Sequence, residues 1–387
     1  MTKLLPILGL FISFNVFAEL RATGDLAVVI EREHSSALIF NTSQHKQLAK
    51  IEQLGDLSHA SVVFSRDQRY AYVFGRDGGL SKIDMLQDKL VKRIVQAGNS
   101  IGGAISQDGK LIAVSNYTPG GVKVFSSDTL ELVADIPADA GDGKLSKVIG
   151  LVDIPGQRFA FSLFDADQIW ILDLKNPKKP DITKFKDIGK QPYDALTSSD
   201  GRYYIAGLFG DSGLAMLDLW HPELGIKRIL PDYVKDDEKL PVYKMPHLEG
   251  WADTGDYLLA PAIGKHEVLV IDKRNWQLVK AIPVAGQPVF VMGRPDGRQA
   301  WVNFAFPDNN QLQIIDIKDL SLQKTLTPGK AVLHMEFAPR GEEVWVAIRD
   351  DNQVVVYDTD TLQEIARMPA QTPNGIFFSS RAHRIGL

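Results

Sequence analysis

The chain of 387 residues contains no cysteine. That excludes disulfides, a thiol nucleophile, iron–sulfur clusters, zinc–thiolate centres and acylation on cysteine. It also excludes a Cys-x-x-Cys-His motif, and with it a covalently attached c-type haem. An excess of one charge is missing too. Lys and Arg number 43 against 48 Asp and Glu, for a net charge of −5. Nothing here marks a nucleic-acid binder or a charged disordered tail. There is no Gly-rich phosphate loop and no His-Glu-x-x-His helix. The Gly-His and Trp-Asp pairs of WD40 blades are absent. The acidic stretch 135–143 lacks the alternating spacing of a calcium loop and reads as a turn.

Long apolar runs are confined to one place. Residues 4–16 follow Lys3 and are apolar apart from Ser13 and Asn15, and Val16-Phe17-Ala18 supplies a cleavage site. Residues 1–18 therefore read as a cleaved export signal, and 19–387 as the mature chain. No other stretch is long enough for a membrane span. The expected location is the periplasm.

What the chain has in abundance is a repeated turn. It reads Ser65-Arg66-Asp67-Gln68-Arg69-Tyr70, Ser106-Gln107-Asp108-Gly109-Lys110, Ser199-Asp200-Gly201-Arg202-Tyr203 and Arg294-Pro295-Asp296-Gly297-Arg298. Looser copies surround Gly156, Gly255 and Gly341. Each lies between short apolar, β-rich runs, as in a hairpin. Recurrence about every 40–50 residues is the mark of a propeller or a similar array. Strands after the turn are expected at 26–30, 70–74, 111–115, 159–163, 203–207, 257–261, 299–303 and 344–348. A second family of eight ends near Asp, from 37–40 to 354–358. Strands before the turn are expected at 60–64, 103–106, 148–153, 194–197, 247–252, 289–293, 334–338 and 375–379. The first strand after a turn has no partner upstream, and the last strand before a turn has none downstream. Joining them closes a ring and removes the sheet edge. The expected fold is all-β, an eight-bladed β-propeller closed by strands from both termini. A seven-bladed ring with a stray hairpin is the runner-up. Residues 232–246 form the one long insertion, a charged loop.

The repeated turns mark one face, and their Asp and Gly residues serve turn geometry. The connections of the opposite face carry the chemistry. They hold Arg32, His34, His59, Arg76, Tyr193, His247 and His266. Counting back from each repeated turn puts Tyr193 and His247 at equivalent positions, with His59 within a residue of the same place. These three are expected at the central mouth. Imidazoles there suit metal ligation or proton transfer, and guanidiniums suit ligand carboxylates. The residues alone leave solvated loop side chains as the other reading.

Ser58-His59-Ala60-Ser61, followed by Arg69-Tyr70-Ala71-Tyr72-Val73-Phe74-Gly75-Arg76-Asp77, resembles the d1-haem domain of the cytochrome cd1 nitrite reductases. Lys190-Gln191-Pro192-Tyr193-Asp194 resembles the segment carrying their first distal His, with Tyr193 in its place. Pro246-His247 resembles the segment carrying the second, and Thr372-Pro373-Asn374-Gly375 the closing strand. The resemblance covers the mature chain, but the haem c domain of those enzymes is missing. A lone d1-type propeller with an export signal and Glu31-Arg32-Glu33-His34 is similar to the NirF family of haem d1 biogenesis proteins. That resemblance implies non-covalent binding of haem d1 or its iron-containing precursor. It implies His59 as proximal iron ligand, with Arg32, Arg76 and Tyr193 contacting the cofactor. His34, His247 and Tyr193 become the acid–base candidates of a late dehydrogenation or other tailoring step. A carrier that delivers the cofactor to nitrite reductase without turnover is the alternative, and a ligand-free interaction platform a third. Implied partners are cytochrome cd1 nitrite reductase and other d1-assembly proteins, with no nucleic acid. A homodimer is left open.

Overall fold

A computed structural model describes residues 21–141, 143–234, 238–240 and 250–386. The expected export signal at 1–18, and His247 with the rest of 241–249, lie outside the described residues. Among those described, 32 strands form eight four-stranded antiparallel sheets. The innermost strands pack side by side about one axis, so the chain is an eight-bladed propeller. Blade 1 is built from Pro373–Phe378, Leu26–Glu31, Ser36–Asn41 and Lys46–Ile51, from the axis outward. Blade 2 follows with Ser61–Phe64, Tyr70–Phe74, Gly79–Asp84 and Lys89–Val95. Blades 3 to 8 span 99–136, 148–185, 192–229, 252–283, 288–326 and 332–369.

The repeated turn has a clear local cause. Its Asp accepts the backbone N–H two residues on, from Arg69, Lys110, Arg202 and Arg298 at 3.0–3.1 Å. Its Ser hydroxyl accepts the N–H that opens the next strand, at Tyr70, Leu111 and Tyr203. The Gly position needs a left-handed backbone, with φ of 72° at Gly109 and 70° at Gly201. Gln68 takes φ 61° at the same place in blade 2. The Asp that ends the third strand in six of the eight blades also gains a reason. Arg69 grips Asp84 through Nε and a terminal nitrogen at 3.0 and 2.7 Å, and Arg202 grips Asp218 at the same distances.

Closure occurs in blade 1. Leu26–Glu31 pairs antiparallel with Pro373–Phe378. Trp345 of blade 8 is fully buried, edge-on to Phe40 and Phe378 of blade 1 at 5.7 and 5.4 Å. Burying such a ring contributes roughly 3 kcal/mol. Glu31 sits where the two termini meet. It accepts the Gln371 N–H at 2.7 Å and the Ser36 hydroxyl at 2.7 Å, and pairs with Lys50 at 2.8 Å. Burial alone would raise its carboxyl; Lys50, Gln371 and Ser36 together hold it below the usual range.

Three details differ from expectation. The inner strand of blade 3 begins at Asn99, not 103, because register shifts at Asn99/Ser100 and Ser100/Gly102 let extra residues join the pairing. The inner strand of blade 5 begins at Pro192, so Tyr193 lies on a strand. The C-terminal segment crosses the face of the repeated turns. Its Arg381 forms a buried ion pair with Glu336 at 2.9 Å, and the Gly386 N–H donates to Asp153 at 3.0 Å.

Candidate binding site at the propeller mouth

The connections of the opposite face enclose a cavity of about 920 Å³, well within the size range of ligand pockets. Arg32, His59, Arg76 and Tyr193 all line it. Their convergence follows from the blade repeat. In six blades, among the described residues, the first or second residue beyond the second strand donates its backbone N–H to the connection entering the same blade. Arg32 donates to the Thr372 carbonyl at 3.1 Å, Arg76 to Asp56 at 2.8 Å and Arg349 to Ala331 at 3.0 Å. The same bond is made by Phe164 to Lys147 and by Phe209 to Gln191. One structural position therefore carries arginine in blades 8, 1 and 2, and phenylalanine in blades 4 and 5.

His59 stands two residues before the inner strand of blade 2 and is half-buried. Its segment is held at both ends. The Ser58 N–H donates to Asp56 Oδ1 at 2.8 Å, and Asn374 Nδ2 donates to the Leu57 carbonyl at 3.2 Å. The hydrogen bonds from Ser58 hold the Asp56 carboxyl below its ordinary value, with smaller help from Arg76 and Arg32. Neither Arg32 nor Arg76 has a carboxylate at ion-pair distance among the described residues, whereas Arg69, Arg202, Arg274 and Arg381 are all paired. Asn374 also lines the cavity, and its Oδ1 is buried without a hydrogen-bond partner.

The other side of the mouth is aromatic. Tyr193 packs against Phe164 at 5.9 Å and Phe209 at 5.7 Å, and those two rings lie 6.2 Å apart. Tyr117 lines the cavity and donates its hydroxyl to the Tyr193 oxygen at 3.2 Å. Burial pushes both phenols up, and the neighbouring carboxylate of Asp194 adds to the rise at each. Both therefore stay protonated at neutral pH, and Tyr193 offers a hydroxyl rather than a phenolate. Asn303 supplies part of the floor. It accepts the Phe290 N–H at 2.8 Å and donates to the Val332 and Leu333 carbonyls, tying blade 7 to blade 8 under the cavity.

Not every candidate comes to the mouth. His34 is exposed and does not line the cavity. Its N–H closes a tight turn onto the Glu31 carbonyl at 3.2 Å, and Ser35 follows at φ 53°, which carries Glu33 and His34 outward. His266 shares the face but is exposed at the end of a short 3₁₀ turn. His247 lies outside the described residues. Tyr117, Asn303 and Asn374 were not among the candidates. Tyr117 and Asn303 are each the penultimate residue of a second strand, so the strand ends of the repeat could have flagged them.

Residues 21–382 match the family described as the cytochrome D1 heme domain. The chain is 61% identical over 370 residues to a protein from Pseudomonas aeruginosa named Protein NirF, covering 95% of this chain and 94% of that one. It is 60% identical over 370 residues to a protein of the same name from Stutzerimonas stutzeri, covering 95% of each. Among solved structures, dihydro-heme d1 dehydrogenase NirN in complex with DHE superposes with a TM-score of 0.81 at 25% identity, over 94% of this chain and 78% of that one.

Proposed function

The chain belongs to the cytochrome D1 heme domain family and, within it, to the NirF proteins of haem d1 biosynthesis, and on that premise we propose that its mouth cavity binds haem d1 or a late iron-containing precursor. The observation that carries the reading is one cavity lined by His59 together with Arg32 and Arg76, two guanidiniums lacking carboxylate partners among the described residues. This donor set fits the group. Among the described residues, no three His, Cys, Asp or Glu side chains cluster to chelate a bare metal. A single imidazole suits an iron already held by a macrocycle. The buried, unpartnered Asn374 Oδ1 adds a polar contact that a ligand edge can satisfy.

In this reading His59 is the proximal ligand. Arg32 and Arg76 hold peripheral carboxylates by charge-assisted hydrogen bonds. Tyr193, whose oxygen accepts the Tyr117 hydroxyl, keeps its own proton for the ligand and serves as hydrogen-bond donor or proton source. His247 keeps its proposed acid–base role from the sequence. His34, on its exposed turn, would act only at the rim. When bound, the iron macrocycle supplies the redox chemistry of the site. The proposed step is a late side-chain dehydrogenation, which removes two electrons and two protons and requires an external electron acceptor. The related solved structure, a dihydro-heme d1 dehydrogenase, favours that reaction class. An export signal over residues 1–18, which would take this work to the periplasm, is part of the same proposal, and no helix among the described residues is long and apolar enough to cross a membrane. Transient contact with cytochrome cd1 nitrite reductase and other assembly proteins belongs to the same proposal.

Incubating the full chain with the late precursor and an oxidant, and following spectrum and mass, tests it. Loss of two hydrogens is the expected result. Tight binding with unchanged mass would overturn the dehydrogenation and leave a carrier that delivers the cofactor.

A further inference from the structure

Blade 8 presents two further cationic side chains, Arg349 and Lys330, to the same cavity. We propose that Arg349 and Lys330 form a second carboxylate-binding subsite, so that the mouth selects a macrocycle with carboxylates spread around its edge over one with a single carboxylate pair. The proposal rests on the reading of the mouth as a tetrapyrrole site and deepens it.

Three observations carry it. First, Arg349 occupies the repeat position of Arg32 and Arg76, fixed by the same backbone hydrogen bond in three consecutive blades. Three guanidiniums thus run along one arc of the rim. Second, the backbone sets Arg349 and Lys330 side by side. Arg349 N–H donates to the Ala331 carbonyl at 3.0 Å, Asp350 N–H to the Lys330 carbonyl at 3.2 Å, and Lys330 N–H to Asp351 Oδ2 at 2.8 Å. Both side chains line the cavity. Third, their charge is incompletely met within the protein. Lys330 has no ion-pair partner among the described residues. Asp350 engages Arg349 through Nε at 2.6 Å, and no carboxylate engages the two terminal nitrogens. Those nitrogens remain for a planar carboxylate, and the lysine adds a mobile point charge beside them. An anionic ligand held at Arg32 and Arg76 alone would leave Lys330 and the terminal nitrogens of Arg349 without a carboxylate of their own. One with a further carboxylate would meet it.

The test titrates the full chain with iron coproporphyrin, a tetracarboxylate, and iron protoporphyrin, a dicarboxylate, by absorption. The wild type should prefer the tetracarboxylate. The double variant Arg349→Gln with Lys330→Met should lose about tenfold in affinity for it and less than about twofold for the dicarboxylate. Arg349→Lys should keep most of the preference. A thermal melt checks the fold, and Lys330→Met alone, an exposed position, carries the test if the double variant is destabilised. Equal losses on both porphyrins, or no loss on either, overturn the subsite while leaving the mouth as a tetrapyrrole site. Failure of the wild type to bind either porphyrin or haem d1 overturns the mouth reading itself.

Discussion

The two sides of the propeller mouth are made from the same backbone and do opposite things. In blades 8, 1 and 2 the position after the second strand carries Arg349, Arg32 and Arg76. In blades 4 and 5 it carries Phe164 and Phe209, which close around Tyr193. The hydrogen bond to the entering connection is common to all five, so the fold does not care which side chain is there. The difference is free for function to set. On one arc Arg32 and Arg76 carry charge that no ion pair meets among the described residues, and Arg349 is paired through Asp350 alone; on the other, Phe164 and Phe209 back the Tyr193 phenol that lines the cavity. Between them stands His59. The proposed ligand, a planar, iron-bearing anion, would use all three.

Each substitution below would break or sharpen that contrast. The largest effect is expected at the centre. His59→Ala removes the one described imidazole lining the cavity, and affinity for haem d1 should fall by about a hundredfold, read by absorption titration. On the cationic arc, Arg32→Gln and Arg76→Gln should each weaken binding about tenfold. The wild-type affinity should fall as salt rises, and the variants should show a shallower dependence. Matching affinities for wild type and both variants at all salt concentrations would deny the arc its role. On the aromatic arc, Tyr193→Phe keeps the ring and loses the hydroxyl. Binding should weaken by only about threefold, while turnover with the precursor and oxidant falls further. Equal falls in both would make Tyr193 a binding residue alone.

A control concerns the scaffold. Glu31 ties the terminal strands together through Gln371, Ser36 and Lys50. Its carboxyl is more acidic folded than unfolded. Its contribution is therefore present above the ordinary value of 4.5 and is lost as pH falls through the lower folded value. Glu31→Ala should destabilise the fold by about 2–4 kcal/mol, and its loss of stability relative to wild type should shrink under acid. A Glu31→Ala protein as stable as wild type in urea at neutral pH would show that the strand pairing and Trp345 suffice for closure.

Much of this was legible in the sequence, and the reason is periodicity. The Ser-x-Asp-Gly-Arg-Tyr turn is local: its Ser and Asp bond backbone within five residues. Repeated, it counts blades and assigns faces, and counting brought Arg32, His59, Arg76 and Tyr193 to one mouth. Counting assigns a face, however, not a direction. His34 sits on the right face and turns outward because Ser35 takes a left-handed backbone. Contacts between blades were also out of reach. The Tyr117–Tyr193 bond joins residues 76 apart, and the Phe164–Tyr193–Phe209 cluster joins two blades. The bulged start of blade 3 and the C-terminal segment that pairs Arg381 with Glu336 obey no repeat, so a repeat-based reading had nothing to detect them with.

The central claim is that His59 ligates the iron of a tetrapyrrole held between the two arcs. Absorption spectra of haem d1 bound to wild type and to His59→Ala, with exogenous imidazole added to the variant, test it most directly. The account predicts a spectrum shifted from free haem d1 in the wild type, loss of that shift in the variant and its recovery with imidazole. An unchanged spectrum in the His59→Ala variant would contradict it.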